Sequence, residues 1–154
     1  MASQSNLTAE EKEALERFPL LAREFCAFID VCAGFDRQTL LRRISVQLAQ
    51  LCEVGARLPW VNPATDSLDS PPDSSSLHKE QSLSIETMLR EKLGKLNVYW
   101  DVFDPTQEEE PVSCSFSSDV AEIYFDLKEA LQLLESDVPR ADVYFDWRFS
   151  FREH

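Results

Sequence analysis

Six apolar residues, Leu40, Leu41, Ile44, Leu48, Leu51 and Cys52, recur three or four positions apart between Asp36 and Gly55. A helix turns by about 100° per residue, so this spacing gathers all six into one stripe along it. A strand would scatter them over both faces, because its side chains alternate every second residue. The stripe must be covered by another element of the same fold. The preceding run supplies one: Leu21, Phe25, Phe28, Ile29 and Cys32 repeat the period and stop at Gly34. Asp36 is placed to cap the second helix. Only Ala33 to Asp36 separate the two runs, so they are expected to pack as an antiparallel helical hairpin.

Further helices follow from the same period. Thr8 with Glu11 forms a capping-box signature, and the short helix it opens is expected to end or kink at Pro19, which suits the first position of a new helix. Leu83, Ile85, Met88, Leu89, Leu93 and Leu96 predict a helix from about Ser82 that frays near Gly94. Ser117 or Ser118 is the expected cap of the next, where Val120, Ile123, Tyr124, Leu127, Ala130, Leu131 and Leu134 fill a sector of about 120°. Pro139 opens a last helix rich in aromatics. Between them, residues 59–78 are dense in proline, serine and aspartate and read as a loop or linker. Val98-Tyr99-Trp100-Asp101-Val102-Phe103-Asp104-Pro105 allows a short extended segment, but Pro105 and the acidic run 108–110 oppose a hairpin, so it reads as an aromatic-anchored loop with its rings packed down. The predicted fold is therefore all-α: one domain over residues 1–154, a single bundle of five or six helices.

Charge narrows the functions open to such a domain. The net charge is −13, and residues 101–154 hold 14 acidic and 4 basic residues, a net −10. Phosphate contacts need a basic surface, so direct nucleic-acid binding is not expected. No apolar run approaches the roughly 20 residues of a membrane span, and the N-terminus lacks the features of a signal peptide. Cys26, Cys32, Cys52 and Cys114 form no Cys-x-x-Cys pair; Cys26 and Cys52 fall in apolar helical patterns and are expected as buried thiols. The expected compartment is the cytoplasm.

Candidate chemistry centres on carboxylates. Asp119, Glu122, Asp126 and Glu129 lie within about 80° of one another on the helical wheel. A di-iron site would require Glu-x-x-His on two helices, but the only histidines, His78 and His154, do not follow a glutamate at that spacing. With three glycines in the chain, a phosphate-cradling loop has no raw material either. Cys114 is the expected exposed thiol, in acidic surroundings that disfavour the thiolate. No catalytic residue, metal ligand or cofactor is assigned. The row reads as a solvated face or as a surface for a cationic partner, continued by Asp142 and Asp146. On the last helix Phe145 and Phe149 point away from Tyr144, Trp147 and Phe151, which calls for burial on more than one side. A central helix meets that need, and so does an interface built from Phe145, Trp147, Phe149 and Phe151.

Three segments, "EFCAFIDVCAGFDRQTLLRRISVQLAQLCEVGARLP", "YWDVFDP" with "SDVAEIYFDLKEAL", and "WRFSFREH", together resemble a family of small helical bacterial proteins known only as a domain of unknown function. The matched stretches are Glu24–Pro59, Tyr99–Leu131 and Trp147–His154. The resemblance implies an all-α fold and transfers no catalytic residue. It also implies continuation beyond the position of His154, so that the last helix is expected to be either cut short or completed by another chain.

Three functions are compatible with these features. The foremost is a non-enzymatic acidic interaction protein, immunity-type or regulatory, whose C-terminal third meets a basic protein. The others are a metal-dependent enzyme using surface carboxylates and a structural homodimer through the aromatic last helix.

Overall fold

The computed structural model describes residues 7–61, 75–102, 106, 110–137 and 139–153, with the backbone alone at 75–78 and 149–153. The described chain is mostly helical: α1 (Ala9–Val31), α2 (Arg37–Gly55), α3 (Ser75–Leu93), α4 (Phe116–Glu135) and α5 (Arg140–Glu153). A two-stranded antiparallel sheet, β1 (Val98–Asp101) with β2 (Val112–Ser115), precedes α4. α4 is the shared partner, packing against α1, α3 and α5, while α2 lies against α1 and touches α5.

Helix starts follow local chemistry. Thr8 and Glu11 form the reciprocal capping box, with the Thr8 amide donating to Glu11 Oε2 at 2.8 Å and the Glu11 amide to Thr8 Oγ1 at 3.1 Å. Asp36 caps α2 by accepting from the amides of Gln38 and Thr39, both at 3.0 Å. At the α3 terminus Gly94 takes a φ of +53°, a left-handed conformation that costs glycine little.

Pro19 neither ends nor begins a helix: α1 runs unbroken through it. An internal proline costs roughly 3 kcal/mol through its missing N–H and ring clash. Ala14, Phe18, Ala22, Phe25 and Ile29 are all buried on one side of α1, and their packing keeps the helix continuous across that position. α3 starts at Ser75 rather than near Ser82, so the stretch expected as loop extends no further than residue 74. Its positions 62–74 lie outside the described residues.

The fold is not purely helical. Val98 pairs with Ser115, Tyr99 with Cys114, Trp100 with Ser113 and Asp101 with Val112, where an aromatic loop was expected. Nor are the rings of Tyr99 and Trp100 packed down, for Trp100 is 69 % and Tyr99 41 % exposed. The ladder forms because both strands are anchored at one end. Asn97, buried, accepts from the Ser117 amide at 2.8 Å and donates to Ser115 Oγ at 3.1 Å. Asn97 thereby does the work expected of Ser117 or Ser118, satisfying an orphan amide in the first turn of α4 from 20 residues away. Ser115, the residue at the cap position, makes no capping bond through its own side chain.

The core collects Phe18, Phe25 and Ile29 of α1, Leu40, Ile44 and Leu51 of α2, Ile85, Leu89 and Leu93 of α3, Tyr124 and Leu127 of α4, and Val143 and Trp147 of α5. Each large side chain taken fully out of water contributes roughly 1.5–3 kcal/mol. Leu83, Leu96 and Cys52, read as members of apolar stripes, are instead exposed. The termini of two helices are closed by distant cations. Lys92 Nζ donates to the carbonyls of Ala33, at 2.7 Å, and Phe35 just beyond α1. Arg148 Nη1 donates to the carbonyls of Gly55 (2.8 Å) and Ala56 (3.2 Å) at the α2 terminus, its guanidinium 5.1 Å from the Trp60 ring centre. Both place positive charge at the negative end of a helix dipole.

Candidate functional site

Burial of Val120, Tyr124, Leu127 and Leu131 fixes which face of α4 turns inward. The carboxylates of Asp119, Glu122, Asp126 and Glu129 fall to its flanks, and the fold sends them to three different neighbours.

Asp119, half-buried, accepts a 2.6 Å hydrogen bond from the Tyr99 hydroxyl and so ties β1 to the first turn of α4. That bond is the main reason the Tyr99 phenol is held above its ordinary pKa, with burial second. Glu122 and Asp126 line a groove of 450 Å³ between α3 and α4, with Lys79 and Glu86 also on its wall. The two helices are pinned beneath it where Ser82 Oγ donates to the Ala121 carbonyl at 3.1 Å. Glu129 turns toward α5: burial, then the charges of Asp142 and Glu129, push the Asp146 carboxyl above its ordinary range. The six acidic residues singled out by sequence thus do not converge on one cluster. Among the described residues no group of three or more histidine, cysteine, aspartate or glutamate side chains is arranged to hold a metal ion.

The aromatic residues of α5 divide. Trp147 is 2 % exposed and stacks on Phe18 of α1 at 4.9 Å, so it is spent on the core of its own chain. Tyr144 packs beside it at 6.1 Å, and Phe145 is half-buried. The side chains of Phe149 and Phe151 lie outside the described residues.

One polar centre escaped the sequence reading. Asp30, near the end of α1, accepts from the Tyr124 hydroxyl (2.6 Å) and Gln81 Nε2 (3.1 Å) on Oδ1, and from Lys128 Nζ (2.8 Å) on Oδ2. Lys128 also lies 5.3 Å from the centre of the Tyr124 ring. Burial first, then the bond to Asp30, keeps the Tyr124 phenol protonated well above its ordinary pKa. Next to it, burial pushes the Cys26 thiol up to about 12. A protonated phenol and a neutral thiol are poor nucleophiles, so this centre joins α1, α3 and α4 rather than attacking a substrate. Two signals marked it. Asp30 is an acid near the negative end of a helix, and Lys128 is the lone base of the acidic helix α4.

A family model described as a domain of unknown function (DUF5063) matches residues 9–154. The chain belongs to this family. The match takes in all five helices and the hairpin, so the DUF5063 domain is the whole described fold. No curated protein and no solved structure matches the chain. Among the described residues of this DUF5063 protein, no helix is long and apolar enough to cross a membrane.

Proposed function

We propose that this DUF5063 domain is a non-enzymatic protein-binding module that takes a basic partner on the surface formed by the β-hairpin and the acidic flank of α4. The observation that carries the reading is the Tyr99–Asp119 hydrogen bond, which joins an exposed aromatic hairpin to a row of carboxylates. Trp100, 69 % exposed, supplies a large apolar anchor of the kind that dominates binding energy when buried by a partner. Asp119, Glu122, Asp126 and Glu129 supply charge along α4, where Tyr99 meets Asp119, and Asp142 and Asp146 extend it onto α5. Carboxylates at the rim of an apolar anchor steer a basic protein toward the right patch and select against acidic ones.

An immunity-type or regulatory role fits this chemistry, and the proposed setting is the bacterial cytoplasm. All four cysteines are free, as a reducing compartment requires. A dimer built on α5 would have to leave out Trp147, which is already buried in its own chain.

Affinity capture from a native cell extract tests the reading, using the parent, Trp100→Ala, and a Glu122→Lys/Asp126→Lys variant, with helicity checked by circular dichroism. The expected result is a basic protein held by the parent, lost from both variants, and associating more slowly as salt is raised. Capture that is unchanged in both variants, or insensitive to salt, would overturn it.

A further inference from the structure

The hairpin offers a partner its backbone as well as its side chains. β1 has β2 on one side, and among the described residues no strand lies on the other, so the N–H and C=O groups along that edge make no ladder. All four residues of β1 are exposed, whereas Cys114 and Ser115 of β2 are half-buried. An open edge is a template for another strand, and folded proteins usually protect it with lysine, proline or a bulge. Val98-Tyr99-Trp100-Asp101 carries neither lysine nor proline, and its first three residues are strong strand formers. A hairpin of two strands is also marginal by itself, and a third strand would consolidate it.

The two faces of β1 and the charge around it define the strand that fits. Directly paired residues of an antiparallel ladder point to the same side. Val98 and Trp100 therefore share one face with Ser115 and Ser113, and these small serines leave both apolar side chains exposed. Tyr99 and Asp101 share the other face, where the Tyr99 hydroxyl reaches Asp119. Residues 96–127 hold eight acidic residues and no lysine or arginine. Pairing β1 with a second copy of itself would bring two such acidic segments together, which like-charge repulsion opposes. A strand with basic residues on the Asp101 side and apolar ones on the Trp100 side meets both demands.

We infer that β1 receives an extended segment of the basic partner as an added strand, in which apolar residues alternate with lysine or arginine. Backbone hydrogen bonds to the open edge hold the segment, its apolar side chains cover Val98 and Trp100, and its cations lie on the face that carries Asp101. The inference rests on the proposed partner surface and specifies how that surface is used.

An amide-resolved NMR titration of the full chain tests it, using a capped peptide of about eight residues that alternates lysine with valine. Two further peptides keep that sequence, one N-methylated at every valine and the other at every lysine, which blocks opposite backbone edges. The unmethylated peptide should shift the amides of Val98 to Asp101, saturate, and slow hydrogen exchange along β1. One methylated peptide should bind about tenfold more weakly or worse, and the other within about twofold of the unmethylated one. The change is made on the peptide, so this loss cannot come from a damaged fold. Equal binding of both methylated peptides would overturn strand addition and leave the basic-partner surface standing. Binding that ignores salt would overturn that surface and the inference together. Absence of binding, or protection along β2 instead of β1, would overturn the added strand. Shifts of the β1 amides with protein concentration alone would assign the edge to a second copy of the chain and overturn it as well.

Discussion

The Tyr124 hydroxyl on α4 donates a 2.6 Å hydrogen bond to Asp30 Oδ1 on α1, across 94 positions of sequence. With Lys128 at 2.8 Å on the other carboxylate oxygen, this pair locks the two helices in one relative position. Removing the hydroxyl in Tyr124→Phe should cost about 1–2 kcal/mol, as expected for a hydrogen bond to a charged acceptor. Asp30→Ala should cost more, because it strands both the phenol and the ammonium. Urea denaturation of the two single variants and the double variant checks this. Additive losses would show that the two residues are not coupled.

Stability should fall on the alkaline side. The Cys26 thiol is raised from an ordinary 9.0 to about 12, and the Tyr124 phenol lies above its ordinary 10.0. Both groups hold their proton more tightly folded than unfolded. Their contribution is complete below the unfolded pKa and is lost as pH climbs toward the folded one. The urea midpoint should therefore drop from about pH 9 upward, and in Cys26→Ala the drop should be smaller but begin at the same pH, because burial raises the Cys32 thiol as well. A midpoint that stays level to pH 11 contradicts it.

Trp147 fills the core against Phe18, and its indole N–H is buried without an acceptor among the described residues. Trp147→Ala should cost about 3–5 kcal/mol through the cavity it leaves. Trp147→Phe should cost far less, since it keeps most of the packing and removes an unpaired donor. Denaturation midpoints distinguish the two outcomes. Equal losses would mean that the indole N–H is satisfied in solution.

Asp146 should respond in the opposite direction to an ordinary surface acid. Burial and the charges of Asp142 and Glu129 raise its pKa, so at neutral pH the ionised form opposes folding. Asp146→Asn should give a small rise in melting temperature at pH 7. The gain should shrink as pH falls through the folded pKa toward the ordinary 3.8 and the parent takes up its proton. A variant less stable than the parent at pH 7 would show that the carboxylate has a favourable partner.

Where structure depends on neighbours in sequence, the chain could be read directly. The Thr8–Glu11 box, the Asp36 cap, the stop at Gly94, and the apolar stripes of α2 and α4 each depend on residues within one or two helical turns. Membership in a family of uncharacterised helical proteins was also legible. A helix end at Pro19 does not occur, because burial of Phe18, Ala22 and Phe25 against the surrounding helices outweighs local propensity. The hairpin was misread because β1 and β2 are separated by residues 102–111, and their pairing is stabilised by Asn97 acting on the start of α4.

The acidic flank shows the same division. Composition located the charge on the last third of the chain, and the helical period located four carboxylates on one side of α4. Neither could say that Asp119 would meet Tyr99, that Glu122 and Asp126 would line a groove with α3, or that Glu129 would turn toward Asp146. Nor could they join Asp30 to Tyr124 and Lys128 on another helix. The sequence by itself determined helices, caps and net charge, because backbone hydrogen bonds and side-chain periodicity act over a few residues. Only the tertiary structure decided which charges meet and which aromatics remain exposed, because those depend on which helix faces pack together.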